Sequence, residues 1–188
     1  MMEMPESTRS AGNKGILGRI FSDRRGVSAV EFALIFPLMI AFYFGAIEST
    51  NMLTANRRVT SVAYTAADIT AQAISIGDAD MTDIFTASSA ILRPFSTTPL
   101  SIRISSVVAN SNGVNKVAWS DGYQIAGRSV NSTMTLPAGL TTPGTSVIVA
   151  EVVYEYSSPI SKTVTDTITF SDTAYLKPRR TAQIVRTN

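Results

Sequence analysis

The chain lacks two residue types that most enzyme mechanisms use. Its 188 residues include no cysteine and no histidine. Without cysteine there is no disulfide framework, no thiolate nucleophile and no thiolate zinc site. Without histidine there is no imidazole base and no imidazole metal ligand. Charge is scarce too. Asp, Glu, Lys and Arg make up 16%, against roughly 25% in ordinary globular proteins. A mean hydropathy of +0.17 excludes disorder along the whole length, which needs few apolar and many charged residues. The net charge of +2 is unevenly placed. Arg9, Lys14, Arg19, Arg24 and Arg25 lie before residue 27, and Lys177, Arg179, Arg180 and Arg186 lie in the last twelve residues, while the middle is slightly acidic. That is not the broad basic face, interleaved with aromatics, of a nucleic-acid binder. No glycine-rich phosphate loop, G-x-S-x-G elbow or von Willebrand-type D-x-S-x-S motif occurs. Glu151 and Glu155 share a strand face and read as solvated, and Asp78, Asp80 and Asp83 read as helix-capping acids. No catalytic residue, cofactor or metal is expected, and the chain reads as a non-enzyme.

What is present is one long apolar run. Val27 to Ile47 is 21 residues with a single charge, Glu31. As a helix this run is about 31 Å long, enough to cross a bilayer core. Basic residues precede it and Glu48 follows it, so the positive-inside rule places residues 1–26 in the cytoplasm and the remainder across the membrane. The run exceeds the apolar region of a removed secretory signal, and no A-x-A site follows. Pro37 predicts a kink near residues 33–37. Glu31 is the anomaly, because a carboxylate in hydrocarbon requires a partner. If the chain were cut between Gly26 and Val27, a new ammonium would lie one helical turn from Glu31, roughly 6 Å of rise on the same face. The alternative is a helix-start glutamate at headgroup depth near Arg24 and Arg25.

Arg24-Arg25-Gly26 followed by Val27-Ser28-Ala29-Val30-Glu31-Phe32 resembles a type IV prepilin peptidase site. The longer string from Arg25 to Leu38 resembles the N-terminus of the TadE-like family, pseudopilins of the tight-adherence (Flp pilus) system. The Tyr154-Glu155-Tyr156-Ser157-Ser158-Pro159 segment and the Lys177-Pro178-Arg179-Arg180 ending are similar to that family as well. The resemblance implies cleavage after Gly26, methylation of the Val27 amine, a prepilin peptidase, the major Flp pilin and partner pseudopilins, at the bacterial inner membrane. The rival expectation is an uncleaved, signal-anchored envelope scaffold or sensor.

The rest of the chain completes an α+β, pilin-like expectation. Residues 1–26 form a leader whose stretch 14–22 is either a plain spacer or a short interfacial helix. The span is 27–47, a helical region covers 48–99, and a β-rich domain covers 100–188. Leu53, Val59, Val62, Ala63, Ala66, Ile69, Ala73 and Ile76 mark a helical stripe, so one helix is expected from about 27 to 75. A second helix is expected over about 81–92, with Asp80 as N-cap and Ile84, Phe85, Ile91 and Leu92 buried. After residue 100 the period changes to two. Four antiparallel strands are expected around 102–104, 116–119, 148–156 and 165–170, joined by turns at 110–115, 121–145 and 157–161. One sheet face should be apolar and cover the long helix, the other polar. The 121–145 connection should protrude, and residues 177–186 should form a surface tail.

Overall fold

A computed structural model describes residues 26–158 and 167–187. The leader, with Arg24, Arg25 and the 14–22 stretch, lies outside the described residues, as do Pro159–Asp166. The chain divides between Ala46 and Ile47 into two compact units.

Helix α1 spans Val27–Gln72 and carries Pro37 within it. Beyond residue 47 it buries Ala55, Val59, Val62, Ala63, Ala66, Ala67 and Ala71. These recur at three- and four-residue steps, the period of one helix face. Five of the seven are alanine, and all but Ala71 belong to the core cluster that includes the sheet's inward side chains. Leu53, expected in this stripe, is 61% exposed. At 100° per residue it points about 120° away from Val59, so its apolar character did not report its face.

The short strand β1, Ser75–Ile76, follows, then helix α2, Asp78–Ala90. Helix α2 starts earlier than expected, and Asp80 is not its N-cap. The N-cap is Gly77. Asp80, the third helical residue, reaches back to accept the Gly77 N–H at 2.9 Å, the half of a capping box that a side chain at that position supplies. Met81, Ile84 and Phe85 are its buried apolar residues. Leu92 is buried just beyond its end, while Ile91 is only partly covered.

The main sheet has the order β3-β2-β4-β5. Its strands are β2 Leu100–Ala109, β3 Asn115–Tyr123, β4 Ser146–Tyr156 and β5 Ile168–Leu176. All three pairings are antiparallel. Ile102, Ile104, Ile148, Ala150, Val152, Tyr154, Tyr156 and Ala174 form one core with α1 and α2. The last strand runs further than expected because polar Ser171-Asp172-Thr173 reads as a strand end. Asp172 instead lies on the helix-facing side, where its carboxylate accepts the Thr60 hydroxyl.

Three expectations about the sheet and its connection fail for local reasons. A period of two over 116–119 predicts Val117 and Trp119 on one face. A register shift opposite Ser106/Val107 pairs Trp119 with Ser106 and Val117 with Val107, leaving Ala118 as the extra residue of a bulge. Trp119 therefore joins the core against α1, while Val117 joins Val107, Val147 and Val149 on the opposite face. That face is not uniformly polar, and the connection after β3 does not protrude. Met134, Leu136 and Leu140 fold back onto the valine patch, and Thr133 forms a bridge with Lys116. Arg128 donates to both carboxylate oxygens of Glu151, so Glu151 is ion-paired instead of freely solvated. The bond to Glu151 raises the Arg128 pKa above its ordinary value.

The C-terminal segment is bound, not a free tail. Strand β6, Val185–Arg186, pairs in parallel with β1. The Trp119 indole donates to the Ile184 carbonyl at 2.8 Å. Arg186 bonds Asp121 at 3.0 and 3.1 Å and also contacts Asp78. These bonds, the Asp121 one foremost, raise its pKa further. Arg179 pairs with Asp68.

Candidate functional site

The first unit consists of the apolar half of α1. Gly26 precedes the helix and Val27 opens it. A Cβ placed on Gly26 would meet nothing within 4 Å among the described residues. Val27 and Glu31 are both exposed and one turn apart on one helix face. Arg24 and Arg25 lie outside the described residues. Pro37 lies within the helix; its missing N–H removes one rung of the ladder.

None of the most apolar window of α1, with mean hydropathy 2.1, is buried, and the helix is long and apolar enough to cross a membrane. Phe32, Leu34, Leu38, Met39 and Phe42 all stand exposed. Fully burying such a side chain is worth about 1.5–3 kcal/mol. For these five alone the gain from coverage by lipid or protein is of order 10 kcal/mol. Phe32 and Phe36 stack at 5.4 Å between ring centroids, and Tyr43 and Phe44 meet edge-on at 5.8 Å. Tyr43 sits near the end of the run, as side chains with an apolar body and a polar tip do at a bilayer boundary.

In the second unit, one contact that the sequence did not announce fixes the start of the outer helix. The Tyr156 hydroxyl donates to Glu48 Oε1 at 3.0 Å, tying the first charged residue after the apolar run to the end of β4. Tyr156 also packs on Phe95 and Phe170, each at 6.0 Å. The alternation of Val152, Tyr154 and Tyr156 marked them as inward-facing, but nothing local connected residue 156 with residue 48. Burial first, and then the bond to Glu48, pushes the Tyr156 pKa up to about 12, and burial raises that of Tyr154.

The sign of the consequence follows. The unfolded chain releases these phenol protons near pH 10, while the folded chain retains them. Stability is therefore complete below pH 10 and lost as pH rises through about 12. Thermal melts of the detergent-solubilised chain between pH 8 and 12 should fall over this window. Tyr156→Phe should start lower at pH 8, because Glu48 loses its donor, and should fall less steeply between pH 10 and 12. An unchanged slope would show that Tyr156 does not carry the effect.

The family model for TadE-like proteins matches residues 26–68. Over this stretch, less than a quarter of the chain, the sequence is similar to TadE-like proteins. The match begins at Gly26, takes in Val27, Glu31, Pro37 and Glu48, and ends four residues before the end of α1. No curated protein and no solved structure matches significantly.

Proposed function

We propose that the chain is a non-enzymatic, minor pilin-like subunit, a pseudopilin, that assembles or primes Flp-type pili. The carrying observation is the apolar half of α1, none of it buried and similar in sequence to TadE-like proteins, with one charge and that charge one turn from Val27. In this reading prepilin peptidase cuts after Gly26, guided by Arg24 and Arg25 on the cytoplasmic side. Residues 27–47 hold the subunit in the bacterial inner membrane, with the C-terminal domain in the periplasm. They later pack among the helices of the major Flp pilin and other Tad pseudopilins. The Val27 ammonium, its own or a neighbour's, then neutralises Glu31 inside the packed helices, and the sheet domain presents the recognition surface. The bilayer is the partner before assembly and nucleic acid is not a partner. Mass spectrometry of the mature N-terminus tests the reading. It also separates it from an uncleaved signal-anchored scaffold or sensor.

A further inference from the structure

Within the second unit, α1 walls a cavity just beyond the apolar run. Its volume is about 460 Å³, in the range of small-molecule sites. Tyr154 and Tyr156 form its buried floor, and Asn51, Pro94, Phe95 and Pro99 form an exposed or half-buried mouth. The Phe95 and Tyr156 rings meet edge to face. Tyr156 connects this floor to a carboxylate. Glu48 Oε1 accepts the Tyr156 hydroxyl, while Oε2 is buried and has no hydrogen-bond partner among the described residues. Glu48 has no ion pair among them either. A charge that is neither hydrated nor paired is costly unless a cation comes near. A phenol that donates to a carboxylate is polarised by it, which makes the Tyr156 ring a better seat for a cation. The helix sets the depth. Asn51 is four residues past Ile47, where the run ends, or about 6 Å of rise. The headgroup layer is about 5–8 Å thick on each side of the hydrocarbon core, so the helix wall of the cavity lies at headgroup depth. Arg93, next to Pro94 in the chain, is exposed and has no ion pair among the described residues.

We propose that this cavity binds the headgroup of a phospholipid that ends in an ammonium, the phosphatidylethanolamine class. The ammonium sits against Phe95 and Tyr156, in the field of Glu48, and the phosphate turns to Arg93. Each part of the headgroup answers one observation. Aromatic rings beside an unpaired carboxylate select an organic cation. An unpaired arginine at the mouth selects a phosphate. The depth of Asn51 puts both where the bilayer itself supplies them. A bound headgroup fixes the depth of the outer half of α1 before assembly, and it must be released when the subunit leaves the bilayer. The inference rests on the membrane-anchor part of the reading above and is independent of cleavage after Gly26.

The test is native mass spectrometry of the detergent-solubilised full chain, mixed with equal amounts of phosphatidylethanolamine and phosphatidylglycerol. The two lipids share the phosphate and differ in the ammonium. One phosphatidylethanolamine per chain should be retained, about tenfold above phosphatidylglycerol. Glu48→Gln keeps an acceptor for the Tyr156 hydroxyl and removes the charge, so the preference should fall to within about twofold. Phe95→Leu, which removes a ring and keeps the mouth apolar, should lower the preference too. Arg93→Gln should weaken both lipids alike. Equal retention of the two lipids by wild type overturns the proposal, and so does an undiminished preference in Glu48→Gln. If equimolar soluble phosphoethanolamine displaces the lipid, the ligand is a free aminophosphate and the lipid assignment falls. Lys162, outside the described residues, is the chain's own rival cation. A preference that emerges only in Lys162→Ala would mean that this lysine holds the site, and would overturn the proposal. Membrane fractionation of the same cells separates the site from the anchor. A chain in the membrane fraction without the preference keeps the anchor and loses the site, and a chain outside the membrane loses both.

Discussion

Glu31→Leu should leave membrane insertion intact and abolish pilus assembly. Replacing the one charge in the span removes the cost of holding a carboxylate in hydrocarbon, so the monomer should reach the membrane at or above wild-type level. After processing, however, the Val27 ammonium would enter a packed helix bundle with no counter-charge. Removing one partner of a buried pair costs about 3–5 kcal/mol, which at about 1.4 kcal/mol per decade is a loss of a hundredfold or more in subunit association. The comparison needs three readouts on wild type and variant: chain in the membrane fraction, leader removal, and pili counted by electron microscopy. Normal membrane level and cleavage with few or no pili is the expected pattern. Wild-type numbers of pili on a cleaved Glu31→Leu chain would reduce Glu31 to a helix-start residue.

The second large effect concerns the turn that carries the connection back over the sheet. A Cβ on Gly122 would lie 1.8 Å from the Ile125 carbonyl oxygen, and one on Gly127 would lie 2.3 Å from that of Ser120. Both obstacles are backbone, so no side-chain rotation relieves them. Gly122→Ala should therefore cost about 3 kcal/mol or more, and lower the melting temperature by roughly 6–12 °C for a chain of this size. Gly45→Ala, where the added methyl meets nothing within 4 Å among the described residues, serves as the control, with a melt no lower than that of wild type. A Gly122→Ala melt within a degree or two of wild type would mean that the turn opens freely. The backbone approach between residues 122 and 125 would then not hold the connection in place.

How far the sequence discloses this fold depends on how local each cause is. Helix α1 is legible because its causes are local: a long apolar run, then small residues at three- and four-residue spacing. Leu53 misleads because a list of apolar residues ignores angle, and Leu53 shares its azimuth with Arg57 and Tyr64, not with Val59. The strands are legible from their alternation, but the bulge at Ala118 is not, and it sends Val117 and Trp119 to opposite faces. Met134, Leu136 and Leu140 are a readable signal that the long connection covers something, since three large apolar residues within seven positions do not suit a protruding loop. Strands β1 and β6 have two residues each, too few for any periodicity, and their pairing depends on Arg186 reaching Asp121 and Asp78. For the candidate site, Gly26, Val27, Glu31 and Pro37 are adjacent in sequence and could be read as one motif. The Tyr156–Glu48 bond joins residues 108 positions apart, and only the folded sheet brings them together.

The most direct test of the account is the N-terminus of the chain recovered from membranes of cells with and without prepilin peptidase. With the peptidase, mass spectrometry should find Val27 as the first residue, its amine free or methylated; without it, the leader should remain through Gly26. An intact leader in peptidase-positive cells would contradict the account, because no ammonium would then exist at Val27 to pair with Glu31.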